Sequence, residues 1–93
     1  MVRVYTCSGR IAIVHIAEQT EKNPDYTFTF RQLAEELKVS PQNMKGIVKN
    51  LAGHENVKMI QEVIEGRQKN NIYQITKKGI IYAKLIKSQE GLL

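Results

Sequence analysis

The sequence predicts an α+β domain, mainly α: a three-helix core, a two-stranded β-hairpin and a closing C-terminal helix. Three observations lead there. Apolar residues recur at helical spacing in four separate segments. The second and third of these are separated by only Val39 and Ser40. Between the third and fourth lie two runs rich in β-branched residues, joined by the turn-forming hexapeptide GRQKNN, which is the pattern of a hairpin.

Taken in order, residues 1–7 alternate loosely, Val2 and Val4 against Arg3 and Tyr5, so a short strand or extended arm is expected there. Ser8 is placed to cap a helix that begins near Gly9 or Arg10. That helix, RIAIVHIAEQTEK, stops before Asn23-Pro24, because the residue preceding a proline resists helical dihedrals. Its apolar positions, Ile11, Ala12, Ile13, Val14, Ile16 and Ala17, are more than one face needs. Either the helix is buried on several sides or its second face meets another subunit. After a turn and a short extended piece, PDYTF, the pairing of Thr29 with Gln32 reads as a capping box, and Phe28 with Leu33 as a hydrophobic staple. The second helix is expected to end near Lys38, with Leu33, Ala34 and Leu37 as its buried stripe.

The short link of Val39 and Ser40 forces the next helix to meet this one at a steep angle, as in a helix-turn-helix unit, here at about residues 29–53. Ser40 is a good N-cap, and Pro41 stands at the first helical position, where its missing N–H costs nothing. Along this third helix, residues 41–52, Met44, Ile47, Val48 and Leu51 fall on one side at about 100° per residue. Gln42, Lys45, Gly46 and Lys49 fall opposite, flanked by Asn43 and Asn50. The exposed side therefore holds hydrogen-bond donors and small groups, with no carboxylate. A helix of this kind fits the major groove of duplex DNA, where Gln and Asn pair with adenine and Lys reaches guanine or phosphate. Gly46 costs roughly 1 kcal/mol of helix propensity against alanine, a cost that close approach to another backbone would offset.

Residues 57–66 and 71–76 are expected as strands, with 66–71 as the loop between them and Arg67 and Lys69 at its tip. An arginine on such a loop suits a narrow minor groove, which attracts cations. Thr76 then caps the last helix, residues 77–90, in which Ile80, Ile81, Tyr82, Ala83, Leu85 and Ile86 again exceed one stripe. The surplus on the first and last helices predicts a homodimer.

Composition narrows the function. A chain of 93 residues makes one domain, here 1–93, and its 42% apolar and 25% charged residues are ordinary for a soluble globular protein. No apolar run approaches the roughly 18 residues of a membrane span, and the opening MVRVYTCSGR lacks the apolar stretch of a secretion signal, so the expected compartment is the cytoplasm. Cys7 stands alone, which rules out an internal disulfide; it reads first as a small semi-buried thiol, with a bridge between two chains as the sharper alternative. One Cys and two His, His15 and His54, fall short of a zinc ligand set, and no metal or cofactor is expected. The net charge of +5 is uneven: residues 1–37 hold four basic and five acidic side chains, residues 38–93 ten basic and four acidic. A basic portion carried on a near-neutral one predicts a polyanionic partner.

The order helix, helix, Ser-Pro-capped helix, hairpin and then YQITKKG opening a final helix resembles the winged-helix transcription regulators, above all the MarR-type and PadR-type branches. Their second wing strand ends in a Tyr-x-Leu-Thr-x-x-Gly pattern, matched here by Tyr73, Ile75, Thr76 and Gly79 with Ile for Leu. FTFRQLAEELKVSPQNMKGIVKNLAG resembles their helix-turn-helix, and the likeness covers residues 8–87. It implies a dimer with the third helix in the major groove and the wing along the minor groove. Carried over, the groove-facing positions are Gln42, Asn43, Lys45, Gly46 and Lys49, with Arg67 and Lys69 on the wing and Ser40 on a phosphate. Lys77 adds to the salt-dependent attraction and Asn50 to base discrimination.

Two other classes compete with this one. An enzyme would need a nucleophile with its base, a metal cluster or a phosphate-binding glycine loop, and the sequence suggests none; Glu35 and Glu36 are adjacent and so diverge on a helix. A winged-helix protein-interaction module would place apolar or aromatic anchors on the exposed third-helix face, where this chain has polar donors. The expectation is sequence-specific double-stranded DNA binding by a transcriptional regulator, with no enzyme activity. No residue set identifies a small-molecule effector.

Overall fold

The structure, a computed structural model, describes residues 8–90. The expected N-terminal arm and Cys7 lie outside the described residues. Four helices and a hairpin follow in the order α1 Gly9–Lys22, α2 Phe30–Leu37, α3 Pro41–Gly53, β1 Val57–Gln61, β2 Ile64–Glu65, β3 Gln68–Lys69, β4 Ile72–Ile75 and α4 Lys77–Glu90. The architecture is α+β and mainly helical, as the sequence predicts.

The helix starts are set locally. The hydroxyl of Ser8 accepts the Ile11 N–H at 3.3 Å, that of Thr29 the Gln32 N–H at 3.1 Å, and that of Ser40 the Asn43 N–H at 3.1 Å. Each satisfies a backbone donor that the first helical turn leaves unpaired. The Gln32 side chain does not complete a reciprocal box; it turns to Glu36 (3.2 Å) and to the Tyr26 hydroxyl (3.5 Å). Helix α2 ends because Lys38 takes a left-handed conformation, φ 57 and ψ 46, which turns the chain into Val39, Ser40 and α3.

The core is one cluster drawn from every layer. Ala12, Ile13 and Ile16 of α1, Leu33 of α2 and Met44, Val48 and Leu51 of α3 are all buried. Val57 and Ile75 from the paired strands and Ala83 and Ile86 from α4 join them. Fully burying such a side chain contributes about 1.5–3 kcal/mol, so this cluster sets the angle at which α3 is presented. Phe28, 1% exposed, also forms an antiparallel bridge with Tyr73, the two exchanging main-chain hydrogen bonds at 3.0 and 2.8 Å. Its ring stacks between those of Tyr26 and Tyr73, at centroid distances of 6.0 and 5.9 Å. The segment before α2 is thereby fastened to the base of the hairpin.

The hairpin differs from the expected two long strands and six-residue loop. Strands β1 and β4 pair through Val57 with Ile75, Lys58 with Gln74 and Met59 with Tyr73, and then a bulge at Ile60 shifts the register. Above a break at Glu62–Val63 and Asn70–Asn71, β2 and β3 pair Ile64 with Lys69 and Glu65 with Gln68. The turn is therefore only Gly66 and Arg67, and Lys69 lies in a strand. Gly66, with φ +64, reverses the chain at once, so the strands can re-pair immediately. In the break, the Asn71 side-chain oxygen accepts the Val63 N–H at 3.3 Å, standing in for a ladder carbonyl.

A polar network ties α1 to α2. Nε2 of His15 lies 2.7 Å from Oε1 of Glu36, which also accepts the Tyr26 hydroxyl at 3.3 Å. Burial works against the Glu36 charge, but the hydrogen bonds from His15 and Gln32, the His15 charge and the bond from Tyr26 together hold the carboxyl below its ordinary value. Tyr26 is pushed up, first by burial and then by the Glu36 charge.

Candidate nucleic-acid interface

Helix α3 buries Met44, Val48 and Leu51 and leaves the rest of its circumference exposed or half-exposed. The hairpin rises beside it, and the start of α2 closes the third side. Between them runs an open groove of about 910 Å³. Its walls carry Arg31 from α2, Gln42, Lys45 and Lys49 from α3, and Arg67, Gln68, Lys69 and Asn71 from the wing, with Phe30, Val48 and Tyr73 among its apolar lining. Five cations line this groove, and none of its lining residues is acidic. A concave surface of one charge sign concentrates the field and draws in polyanions.

Among the described residues, only one of the five cations has an anionic partner. Lys69 lies 3.5 Å from Glu62, with both side chains half-exposed or more, and a pair so exposed is readily exchanged for another anion. Lys45 and Arg31 instead sit against the Phe30 ring, at 5.9 and 5.2 Å from its centroid.

Of the residues singled out in the sequence, Gln42, Lys45, Lys49, Arg67 and Lys69 converge on this groove. Asn43, Gly46 and Asn50 do not. They line a separate shallow depression of about 290 Å³ with Gly9 and Ile47, on the flank of α3 that faces the start of α1. Helix α3 thus presents a cationic flank to the wing and an uncharged amide flank to α1. At Gly46 an added Cβ would meet nothing within 4 Å, so packing within the chain does not require a glycine there. Ser40 is exposed, its hydroxyl engaged in capping. Lys77, in the first turn of α4, is exposed and lines neither depression.

Sequence reasoning missed Arg31, Gln68 and Asn71. Arg31 donates from Nη2 to the side-chain oxygen of Gln68, across 37 residues of chain. The available signal was the exposed, cationic position just after the Thr29 cap.

No protein-family model matches the chain, and no curated protein does. Solved structures match it in fold. AF1382 of Archaeoglobus fulgidus superposes with a TM-score of 0.70 at 18% identity, over 96% of this chain and 90% of that one. NMB1585, a MarR family regulator from Neisseria meningitidis, gives 0.59 at 23% identity, over 89% and 54%. MepR of Staphylococcus aureus, in complex with DNA, gives 0.64 at 13% identity, over 89% and 56%. The chain spans about half the length of NMB1585 and MepR. The fold is the winged helix-turn-helix, shared with these structures, with α2 and α3 as the helix-turn-helix and β1–β4 as the wing.

Proposed function

We propose that this protein binds double-stranded DNA sequence-specifically as a homodimer and regulates transcription, with α3 in the major groove and the wing turn at the minor groove. The observation that carries this reading is the groove between α3 and the wing, lined by five cations and no carboxylate. The MepR complex shares the fold and is bound to DNA, which supports the same use here. Lys45, Lys49, Arg67, Lys69 and Lys77 supply the salt-dependent attraction, and Ser40 a phosphate contact at the head of α3. Gln42, Asn43 and Asn50 read base edges, each good paired contact being worth roughly 1–3 kcal/mol of discrimination. Gly46 lets the helix approach closely. Ile11, Ile81 and Leu85, 54–63% exposed on α1 and α4, form the contact with the second copy. Two-fold symmetry then sets half-sites about one helical turn apart.

The test is a titration of labelled mixed-sequence duplex at several salt concentrations. Nonspecific binding is expected with a dissociation constant of roughly 10⁻⁴ to 10⁻⁶ M that weakens steeply with salt. The double variant Lys45→Ala, Lys49→Ala should lower the salt slope by about two. Absence of binding even at low salt would remove the reading and turn the search to protein partners of the α3 surface.

A further inference from the structure

We propose that Arg31 and Lys45 form a phosphate clamp at the foot of the groove, and that Gln68 is the acceptor that holds Arg31 until a phosphate replaces it. Arg31 comes from α2 and Lys45 from α3, yet both cations lie against one ring, that of Phe30, at 5.2 and 5.9 Å. Two like charges held against one ring and lining one groove repel each other unless an anion joins them. Among the described residues neither has a carboxylate within ion-pair distance. The polar partner of Arg31 among the described residues is a neutral amide oxygen, that of Gln68 on the wing.

The chemistry favours exchange. A guanidinium presents parallel N–H donors that match two oxygens of one phosphate, and a hydrogen bond with both partners charged is roughly twice as strong as a neutral one. The amide oxygen of Gln68 satisfies only part of that fork. A phosphate entering the groove meets Lys45 as a second charge within reach of the same ring, which no amide acceptor can use. The exchange has a structural consequence, because the bond between Arg31 and Gln68 joins α2 to the wing beside its Gly66–Arg67 turn. Capture of a phosphate releases that tie and leaves Arg67 and Lys69 free to settle on the backbone. The ligand class is a phosphodiester of a nucleic acid. That assignment rests on the function proposed above, whereas the clamp itself does not.

Two arms separate these claims. In the first, inorganic pyrophosphate is titrated into the full chain while the Arg31 Nε–H and Gln68 side-chain amide resonances are followed by NMR. Both should move in the wild type, and the Gln68 amide should stay still in Arg31→Ala. A Gln68 amide that ignores pyrophosphate in the wild type overturns the clamp. In the second arm, duplex binding is measured against salt. Arg31→Ala should lower the slope by about 0.9, one phosphate contact. Arg31→Lys should keep the slope and bind severalfold more weakly, because it keeps the charge and loses the fork. Gln68→Ala should bind about two- to threefold more tightly, its competing acceptor gone. A wild-type slope in Arg31→Ala overturns the role of the clamp on DNA. A pyrophosphate response with no duplex binding by the wild type overturns the proposed function and leaves the clamp standing.

Discussion

Gly79 lies so close to the main chain of Asn56 that a Cβ added there would overlap the Asn56 carbonyl oxygen and approach Cγ1 of Ile75 to 2.8 Å. The first turn of α4 is held at that corner by three further bonds. The Thr76 N–H donates to the Asn56 carbonyl at 3.1 Å, the Thr76 hydroxyl donates to the Glu55 carbonyl at 2.7 Å, and the same hydroxyl accepts the Gly79 N–H at 3.0 Å. The Thr-x-x-Gly pattern after β4 is therefore a docking device for the closing helix. Gly79→Ala should destabilise the fold by about 1–3 kcal/mol, the usual cost of forcing atoms into a filled site. Gly53→Ala, whose Cβ would meet nothing within 4 Å, is the control. Equal melting temperatures for Gly79→Ala and the wild type would show that the close approach carries no energetic weight.

Gly46 makes the opposite case. It stands in the middle of α3 with open space beside it, so alanine there should raise stability by about 1 kcal/mol through helix propensity alone. If the glycine serves close approach to a nucleic-acid backbone, the same substitution should weaken duplex binding. Opposite signs in a thermal melt and a binding titration are the expected result. An alanine variant that is more stable and binds as tightly would leave Gly46 without a role.

The layout of the helices was legible because each start is written locally, in Ser8, Thr29, Ser40 and Thr76, and the first two stops in a proline and a short link. The apolar stripe of α3 was legible for the same reason: Met44, Val48 and Leu51 are spaced for one face and are buried on one face. The wing was only half legible. GRQKNN looks like six turn residues, yet one glycine with positive φ suffices for the reversal, and polar Gln68 and Lys69 pair as well as any residue on an exposed hairpin. The candidate site was legible where it lies within α3 and illegible where it depends on tertiary distance. Helical periodicity sets Asn43 and Asn50 together, about 140–160° round the helix from Lys45, but only the packed fold shows that their flank faces α1 while Lys45 faces the wing. The reach of Arg31 to Gln68 likewise exists only once α2 and the hairpin have met.

Glu36 links stability to pH. Its carboxyl is held below the ordinary value of 4.5 in the folded protein, so folding favours the charged form. The contribution is fully present above that ordinary value and is lost as pH falls through the depressed one. The wild type should therefore melt at progressively lower temperature below about pH 4.5, and Glu36→Gln should flatten that part of the profile while melting lower at neutral pH. Because the network joins α1 to α2, the loss should appear in the global transition. A Glu36→Gln profile parallel to the wild type across the acid range would remove Glu36 from the account.

Ile81 and Leu85 stand one turn apart on α4, 63% and 57% exposed, and side chains four residues apart share a helix face. Among the described residues they stay more than half exposed, so charged replacements should cost the fold little. Between two copies the same replacements would place buried carboxylates opposite each other across the symmetry axis, which is costly without a cationic partner. The double variant Ile81→Glu, Leu85→Glu should then sediment as a monomer where the wild type sediments as a dimer, with an unchanged far-UV spectrum. Its affinity for a two-half-site duplex should fall toward that for a single half-site, because linked half-sites act as a bivalent contact. A wild type that sediments as a monomer, or a double variant that remains a dimer, would move the interface away from this face of α4 and leave the exposed pair without a partner.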